Sequence, residues 1–122
     1  MAKILIAEDS ETELALLQEV LSSTPHEITT TTDGLAAEAE ARKGGFDLII
    51  LDVIMPGKNG FQVCRALKTD PNFKGTPIIL LTSKSEASDK FWGKKQGANA
   101  YITKPYEPME LLVEIKKQLG GA

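Results

Sequence analysis

Short apolar runs alternate along the chain with longer segments in which hydrophobic residues recur at helical spacing. This alternation is typical of βαβ units in a parallel sheet. We predict five strands, at residues 3–7, 27–31, 47–51, 77–82 and 100–103. The first, third and fourth strands contain runs of consecutive apolar residues, as expected of central strands that helices cover on both faces. The threonine run at 29–32 is β-prone but polar, which suits an edge strand.

Helical periodicity and end signals predict five helices, one after each strand. Ser10 and Glu13 have the spacing of a capping box, and leucines at 14, 17 and 21 continue the first helix. The other helices are predicted from Asp33-Gly34 to the paired glycines at 44 and 45, at about 60–69, at about 85–96 and at 108–119. The expected fold is α/β: a flavodoxin-like, doubly wound (βα)5 domain with a five-stranded parallel sheet in the order 2-1-3-4-5.

Three adjacent residues of the predicted fourth helix raise separate questions. Phe91 is predicted to lie in the core, as an apolar helix residue usually does. Trp92 fits either the core or a docking surface, since tryptophan is enriched at binding hot spots. Gly93 costs about 1 kcal/mol relative to alanine inside a helix, which indicates close packing or a flexible helix. The sequence does not decide between these readings.

Length and composition limit the classes of protein that remain. The chain has 122 residues, of which 42% are apolar, so we expect one domain over residues 1–122 and no output domain. The single Cys64 excludes a scaffold built on disulfides. The single His26, predicted in a surface loop, excludes a metal site with several histidines. Without an apolar run of about 18 to 20 residues or a signal peptide, we expect a soluble, cytoplasmic protein without membrane contact.

The net charge of −3 is unevenly distributed. Residues 1–61 carry 4 basic and 11 acidic side chains and residues 62–122 carry 10 and 6, so the halves have charges of −7 and +4. Because no basic run exceeds two residues, we do not expect nucleic-acid binding. Five lysines between positions 84 and 104 form either a solvated helix face or a surface that docks another protein.

Charged and hydroxyl side chains follow the predicted strands at the point where each strand ends. Glu8 and Asp9 follow the first strand, Asp52 follows the third, Thr82 ends the fourth and Lys104 follows the fifth. In an open parallel sheet of order 2-1-3-4-5 these ends meet in one crevice, where the strand order reverses. Singly, each residue has an ordinary explanation as a cap, a turn residue or a solvated charge. The prediction of a functional site therefore depends on their joint placement.

Three carboxylates in one crevice would either be partly protonated or require a cation. Two like charges about 4 Å apart repel by roughly 4 kcal/mol at an effective dielectric constant of 20. Carboxylate oxygens without a nearby histidine or thiolate select Mg²⁺, Mn²⁺ or Ca²⁺, and Mg²⁺ keeps positions open for water and phosphate oxygens. The leading hypothesis is therefore phosphoryl chemistry, with Asp52 as nucleophile, Lys104 as the neutralising cation and Thr82 as a hydrogen-bond donor.

Four motifs together make the chain recognisable: Glu8-Asp9-Ser10, the segment 51–60 (LDVIMPGKNG), Leu81-Thr82-Ser83 and Tyr101-Ile102-Thr103-Lys104-Pro105. Over essentially its whole length the chain closely resembles the receiver domain of two-component response regulators. The resemblance implies that Asp52 accepts a phosphoryl group from a histidine kinase or phosphotransfer protein. It also implies that Mg²⁺ is held by Glu8, Asp9, Asp52 and the backbone carbonyl of Ile54.

The resemblance further implies a switch and an output surface. Thr82 would bond the phosphoryl oxygens, Lys104 would pair with them, and Tyr101 would turn inward when Thr82 moves. A downstream protein target would bind the face formed by the fourth helix, fifth strand and fifth helix. Such a protein is a monomer or a weak homodimer, and it is no enzyme beyond catalysing its own phosphorylation and dephosphorylation. The Lys104-Pro105 peptide bond is commonly cis in the family.

Details of the motifs refine the resemblance. Glu8 stands where aspartate is more frequent, and its extra methylene alters the metal geometry. Ile54 is apolar, so we expect it to shield an acyl phosphate on Asp52 from water. The segment 89–98 (DKFWGKKQGA) resembles stand-alone regulators of twitching-motility and chemotaxis-like pathways.

Three other functions are possible for a chain of this topology, and the motifs favour each of them less. Metal-dependent phosphatases of the aspartyl-phosphate type have the motif Asp-x-Asp after the first strand, whereas this chain has Glu8-Asp9-Ser10 at that position. A flavin carrier needs a phosphate-binding loop after the first strand, but in this chain that loop is acidic and would repel an anionic cofactor. A receiver-like interaction module that is never phosphorylated would have little reason to retain Asp52, Thr82 and Lys104 together.

Overall fold

The computed structural model describes residues 1–120; Gly121 and Ala122, which the expected domain of residues 1–122 includes, lie outside the described residues. The strands are β1 (Lys3–Ala7), β2 (Glu27–Thr31), β3 (Leu48–Leu51), β4 (Ile78–Thr82) and β5 (Ala100–Thr103). The α-helices are α1 (Glu11–Leu21), α2 (Gly34–Arg42), α3 (Gly60–Lys68), α4 (Ala87–Lys95) and α5 (Pro108–Gln118). A short 3₁₀ helix, Pro71–Phe73, was not predicted.

The strands form one parallel sheet in the order β2-β1-β3-β4-β5. This confirms the predicted flavodoxin-like topology. β2 lies at an edge, and its threonines are partly exposed, as its polar composition indicated. Because all five strands run in one direction, their carboxyl ends lie along a single edge of the sheet, on which the candidate site is built.

The sheet separates two apolar layers. Leu5, Ile49 and Leu80 face a cluster that includes Ala37 of α2 and Phe61 of α3. Their neighbours along the strands face a second cluster that contains Leu17 and Leu21 of α1 and Leu111 and Ile115 of α5. Since successive strand residues point to opposite faces, covering both faces requires apolar residues at every position of the central strands. This is why β1, β3 and β4 lack alternation.

The prediction that Phe91 lies in the core is wrong, because its side chain is 61% exposed. Helix α4 faces the body of the protein through Gly93, the buried residue of the helix. Two positions along a helix correspond to about 200° of rotation, so Phe91 points away from that contact. Trp92 is exposed as well. Close packing of Gly93, one of the two explanations left open, is the one observed.

No helix within residues 1–120 is both long enough and apolar enough to cross a membrane.

Candidate functional site

The candidate site is a cleft of about 410 Å³ at the carboxyl edge of the sheet. Backbone hydrogen bonds fix the strand ends that form it: the Asp52 N–H donates to the Ala7 carbonyl at 3.0 Å, and the Lys104 N–H donates to the Thr82 carbonyl at 2.9 Å. The cleft is lined by Glu8, Asp9, Ser10, Glu13, Asp52, Ile54, Ser83, Lys104 and Pro105. The Lys104-Pro105 peptide bond is cis.

The Lys104 ammonium group joins the acidic residues of the cleft. Its Nζ donates to Asp52 Oδ2 at 2.9 Å and to Glu8 Oε1. The three side chains are only 11% (Lys104), 8% (Asp52) and 4% (Glu8) exposed. Glu13 Oε2 of α1 lies 3.8 Å from the same ammonium nitrogen. One cation therefore faces three carboxylates, and the cleft keeps an excess of negative charge.

Burial and hydrogen bonding shift the pKa values of these groups in different directions. Burial raises the pKa of Glu8, and the bonds from Lys104 and the Ser10 N–H offset this only in part. Burial also acts to raise the pKa of Asp52, but bonds from Lys104, the Ile54 N–H and Thr82 outweigh it, so that pKa is lowered. Burial acts to lower the pKa of Lys104, but Glu8 and Asp52 raise it overall. Of the Glu8 and Asp52 carboxyl groups, Asp52 is accordingly the one favoured in its ionised form.

Three carboxylates offer a set of ligands that suits a divalent cation. One oxygen each from Glu8, Asp9 and Asp52 lies within 4.8 Å of the others. Asp9 is exposed, whereas Glu8 and Asp52 are buried. Oxygen-only ligands of this charge fit Mg²⁺ better than a soft transition metal. The Ile54 N–H donates to Asp52 Oδ1 at 3.0 Å, which brings the Ile54 backbone beside this set.

Thr82 and Tyr101 lie on the β4–β5 side of the cleft. Thr82 is fully buried, so it adds no exposed surface to the cleft. The Thr82 hydroxyl also accepts from the Lys84 N–H at 3.4 Å, and the Tyr101 hydroxyl donates to the Lys84 carbonyl at 2.7 Å. Burial, assisted by Asp89 and Asp52, raises the pKa of Tyr101 to about 12. Both backbone polar groups of Lys84, in the loop after β4, are thus hydrogen-bonded: the N–H to Thr82 and the carbonyl to Tyr101.

Close packing at the start of α3 holds the loop that carries Asp52. An added Cβ at Gly60 would lie 2.2 Å from the Asp52 carbonyl oxygen, so only glycine fits there. Asn59 caps the helix, because its side chain accepts from the Gln62 N–H and the Gln62 side chain accepts from the Asn59 N–H. The Asp52 carboxylate therefore follows a buried strand and precedes a tightly anchored helix.

The structure brings Glu8, Asp9, Asp52, Ile54 and Lys104 into one cleft and places Thr82 and Tyr101 beside it. Sequence reasoning missed further residues. The capping-box spacing assigned Glu13 to helix capping; Ser10 does accept from the Glu13 N–H at 3.3 Å, but the Glu13 carboxylate reaches toward Lys104. Ser83 lines the cleft, and its position directly after Thr82 could have indicated this.

Comparisons with known proteins find relatives of this chain in sequence and in structure. The sequence model of the response regulator receiver domain matches residues 4–116. Protein PilH of Pseudomonas aeruginosa is 40% identical over 121 residues, which cover 99% of this chain and 100% of PilH. Other curated relatives are longer, and the chain spans about half of their length or less.

Two solved structures have the same fold. The chemotaxis protein CheY4 of Vibrio cholerae is 36% identical with a TM-score of 0.88, covering 96% of this chain and 98% of that chain. The receiver domain of the sensor histidine kinase PA1611 from P. aeruginosa is 27% identical with a TM-score of 0.90, covering 98% of each chain. The PA1611 structure has a magnesium ion coordinated in its active-site cleft.

Proposed function

This chain belongs to the family of response regulator receiver domains, and from that premise we propose that Asp52 accepts a phosphoryl group from a histidine kinase or a phosphotransfer protein. The observation that carries the proposal is the arrangement at Asp52: a nearly buried carboxylate with a lowered pKa, bonded to the Lys104 ammonium group at the mouth of an acidic cleft. Receiver domains are signalling proteins, so chemistry at Asp52 acts on this chain itself.

The chemical step is a displacement at phosphorus. An Asp52 carboxylate oxygen attacks the phosphorus atom of phosphohistidine and forms a P–O bond, while the P–N bond breaks and its electron pair leaves with the imidazole. The Lys104 ammonium group, already bonded to Asp52 Oδ2, is placed to pair with the oxygens of the transferred group. Water later hydrolyses the acyl phosphate and regenerates the Asp52 carboxylate.

Glu8, Asp9, Asp52 and the Ile54 carbonyl would hold Mg²⁺, whose positive charge would neutralise the phosphoryl oxygens. The exposed Asp9 carboxylate admits an incoming cation from solvent, and the buried Glu8 carboxylate bonds to the Ser10 N–H at 3.1 Å, which restricts its orientation. The Lys104 ammonium group, paired with Glu8 and Asp52, neutralises part of the acidic set.

Phosphorylation would alter the β4–β5 side of the molecule. The new group carries extra negative charge and acceptor oxygens that favour a move of Thr82 toward Asp52. Helix α4 and β5 would shift with it and change how the face formed by α4, β5 and α5 binds a downstream protein. This face carries Lys84, Lys90 and Lys94, and the resemblance of segment 89–98 favours a target in a motility or chemotaxis-like pathway. Two statements stay predictions: that the chain is a single domain, and that it acts as a monomer or a weak homodimer.

Intact-mass spectrometry tests the proposal. The wild type and Asp52→Asn are incubated with acetyl phosphate, with and without Mg²⁺, and Asp47→Asn serves as a control outside the cleft. We expect the wild type and the control to gain one phosphoryl group only with Mg²⁺, and Asp52→Asn to gain none. If neither acetyl phosphate nor a histidine kinase phosphorylates the wild type, the proposal is wrong and a phosphorylation-independent interaction module remains.

A further inference from the structure

The hydroxyl group of Tyr106, just after the cleft residues Lys104 and Pro105, is buried without a hydrogen-bond partner within residues 1–120. The Tyr106 ring packs against the apolar cluster that contains Leu17 of α1 and Leu111 of α5. Buried polar groups almost always have a partner, because leaving one unpaired costs free energy. Packing therefore accounts for the ring of Tyr106, but not for its hydroxyl group.

A carboxylate that could accept from this hydroxyl group lies on the same side of the molecule. Glu13 precedes Leu17 by one helical turn, and Leu17 belongs to the cluster against which Tyr106 packs. Glu13 and Pro105, the residue before Tyr106, both line the acidic cleft. Burial raises the pKa of Tyr106, the negative charge of Glu13 raises it further, and Lys104 acts in the opposite direction. The Tyr106 hydroxyl is therefore within electrostatic reach of Glu13.

In this structure the Glu13 carboxylate faces Lys104. Glu13 Oε2 lies 3.8 Å from Lys104 Nζ, whereas Asp52 Oδ2 lies 2.9 Å from the same nitrogen. The Glu13 side chain is 39% exposed, so it has room to rotate. A long, partly exposed ion pair contributes little compared with the bonds of Lys104 to its two buried partners. Of the three carboxylates that face Lys104, Glu13 is therefore the one most easily released.

A phosphoryl group on Asp52 would change the partners of this cation. The group adds negative charge and oxygens that pair with Lys104, so Lys104 would attract Glu13 less while the cleft repelled it more. A hydrogen bond to a carboxylate favours its charged form and offsets such repulsion. The unpaired Tyr106 hydroxyl can supply this bond after a rotation of the Glu13 side chain.

We propose that Tyr106 is a positioning residue of the phosphorylated state: its hydroxyl donates to the Glu13 carboxylate when Lys104 turns to the phosphoryl group, and so holds Glu13 away from that group. This inference rests on the function proposed above, because the phosphoryl group is what releases Glu13 from Lys104. The bond forms only in the phosphorylated protein, and it therefore stabilises that state relative to the unphosphorylated one. Tyr106 acts through Glu13 and does not contact the phosphoryl group.

Binding of beryllium trifluoride, a reversible mimic of a phosphoryl group on a carboxylate, tests the inference in the presence of Mg²⁺. Isothermal titration calorimetry compares the wild type with Tyr106→Phe, Glu13→Ala and the double variant. Glu11→Ala is the matched control, because Glu11 lies in the same turn of α1 but does not line the cleft. Urea denaturation measures the stability of each variant without the mimic. NMR of tyrosine-labelled protein follows the Tyr106 ring, with Tyr106→Phe identifying its signal.

We expect Tyr106→Phe to weaken binding of the mimic about tenfold, as for the loss of one hydrogen bond to a charged group. In the Glu13→Ala background the same substitution should have no effect, because the acceptor is gone. Glu11→Ala should bind the mimic as the wild type does. Without the mimic, Tyr106→Phe should be at least as stable as the wild type, because the hydroxyl group is unpaired there. A purely structural role of Tyr106 would instead lower stability and would not depend on Glu13.

Several results would overturn the inference. One is equal binding of the mimic by the wild type and Tyr106→Phe, and another is a loss that persists at full size in the Glu13→Ala background. If Tyr106→Phe does not fold, the wild type still decides, because the absence of a nuclear Overhauser contact between the Tyr106 ring and the Glu13 side chain in the presence of the mimic would contradict the bond. If the wild type neither binds the mimic nor accepts a phosphoryl group, the proposed function fails and the inference fails with it. Binding by the wild type without an effect of Tyr106→Phe removes the inference alone.

Discussion

At the level of single residues, the Lys104 side chain neutralises part of the charge of the acidic cleft. It lies nearly buried between Glu8 and Asp52, with Glu13 nearby. Breaking a buried ion pair by removing one partner is costly because the other charge is left without compensation. Here two buried carboxylates would lose their shared cation at once.

We expect Lys104→Met to lower the free energy of unfolding by about 1 to 3 kcal/mol, less than the loss of a fully buried pair because the cleft is open to water. Urea denaturation at pH 7 measures the change. Lys74→Met, at an exposed lysine, is the control and should be close to neutral. A Lys104→Met protein as stable as the wild type would show that the cleft does not depend on this cation.

Ile54 is the apolar wall of the cleft and is 52% exposed. As a hypothesis that builds on the proposed acyl phosphate, its side chain shields Asp52 from water. Ile54→Asn should then speed loss of the phosphoryl group severalfold, which corresponds to about 1 kcal/mol of barrier. Ile54→Val keeps an apolar wall and should behave as the wild type does. Intact mass followed over time after removal of acetyl phosphate measures the rate, and equal lifetimes would refute the shielding.

At the level of elements, a network of charges ties α2 to the segments around α3. Glu38 of α2 bonds to Lys58 in the loop before α3 and to Arg42, and Arg42 Nη1 also bonds to Asp70 Oδ2 at 2.7 Å. The bond from Lys58 is the main cause that lowers the pKa of Glu38 from its ordinary value of 4.5, against an opposing effect of burial. The network holds the loop that follows Asp52.

This lowered pKa predicts a dependence of stability on pH. A carboxyl group whose pKa is lower in the folded than in the unfolded state stabilises the fold above the unfolded pKa, and the stabilisation is lost as pH falls through the folded pKa. Glu38→Gln should therefore cost about 1 kcal/mol at pH 7, and the cost should shrink below pH 4.5. Denaturation over that pH range measures it. Glu40→Gln, which breaks an exposed pair with Lys43, is the control and should leave the free energy of unfolding almost unchanged. A cost of Glu38→Gln that does not vary with pH would contradict the expectation.

The elements themselves were largely predictable from the chain. Period, caps and glycines located all five strands and five α-helices of the described residues to within a few positions, because these signals act between neighbours in sequence. The orientation of α4 was not predictable in this way. Phe91 was assigned to the core because it is apolar, but the helix turns Gly93 inward to accommodate Tyr101.

At the level of the whole molecule, the parallel sheet brings negative charge to one edge. Glu8, Asp9 and Asp52 come from the acidic half of the chain, and Lys104 from the basic half. A ligand that binds only the folded protein stabilises it, by about 2.7 kcal/mol at 100 times its dissociation constant. Binding of Mg²⁺ at this edge should therefore stabilise the entire fold.

We expect Mg²⁺ to raise the midpoint of thermal unfolding of the wild type by several degrees. In Asp9→Asn, which lacks one of the proposed ligands, the increase should be smaller or absent. Glu27→Gln, at the opposite end of the sheet where β2 begins, should respond as the wild type does. Differential scanning calorimetry measures the three midpoints, and an equal response of Asp9→Asn would remove Asp9 from the metal site.

The order of elements, the polar residues at the strand ends and their shared edge follow from the chain alone, because residue type and periodicity are local properties and a parallel sheet aligns its strand ends. Which of these groups are in contact depends on the folded arrangement of the strands. Glu8 and Lys104 are 96 positions apart, and their bond depends on β1 and β5 lying on opposite sides of β3 and β4. The approach of Glu13 to Lys104 and the packing of Tyr101 on Gly93 likewise depend on distances across the fold, which no spacing along the chain encodes.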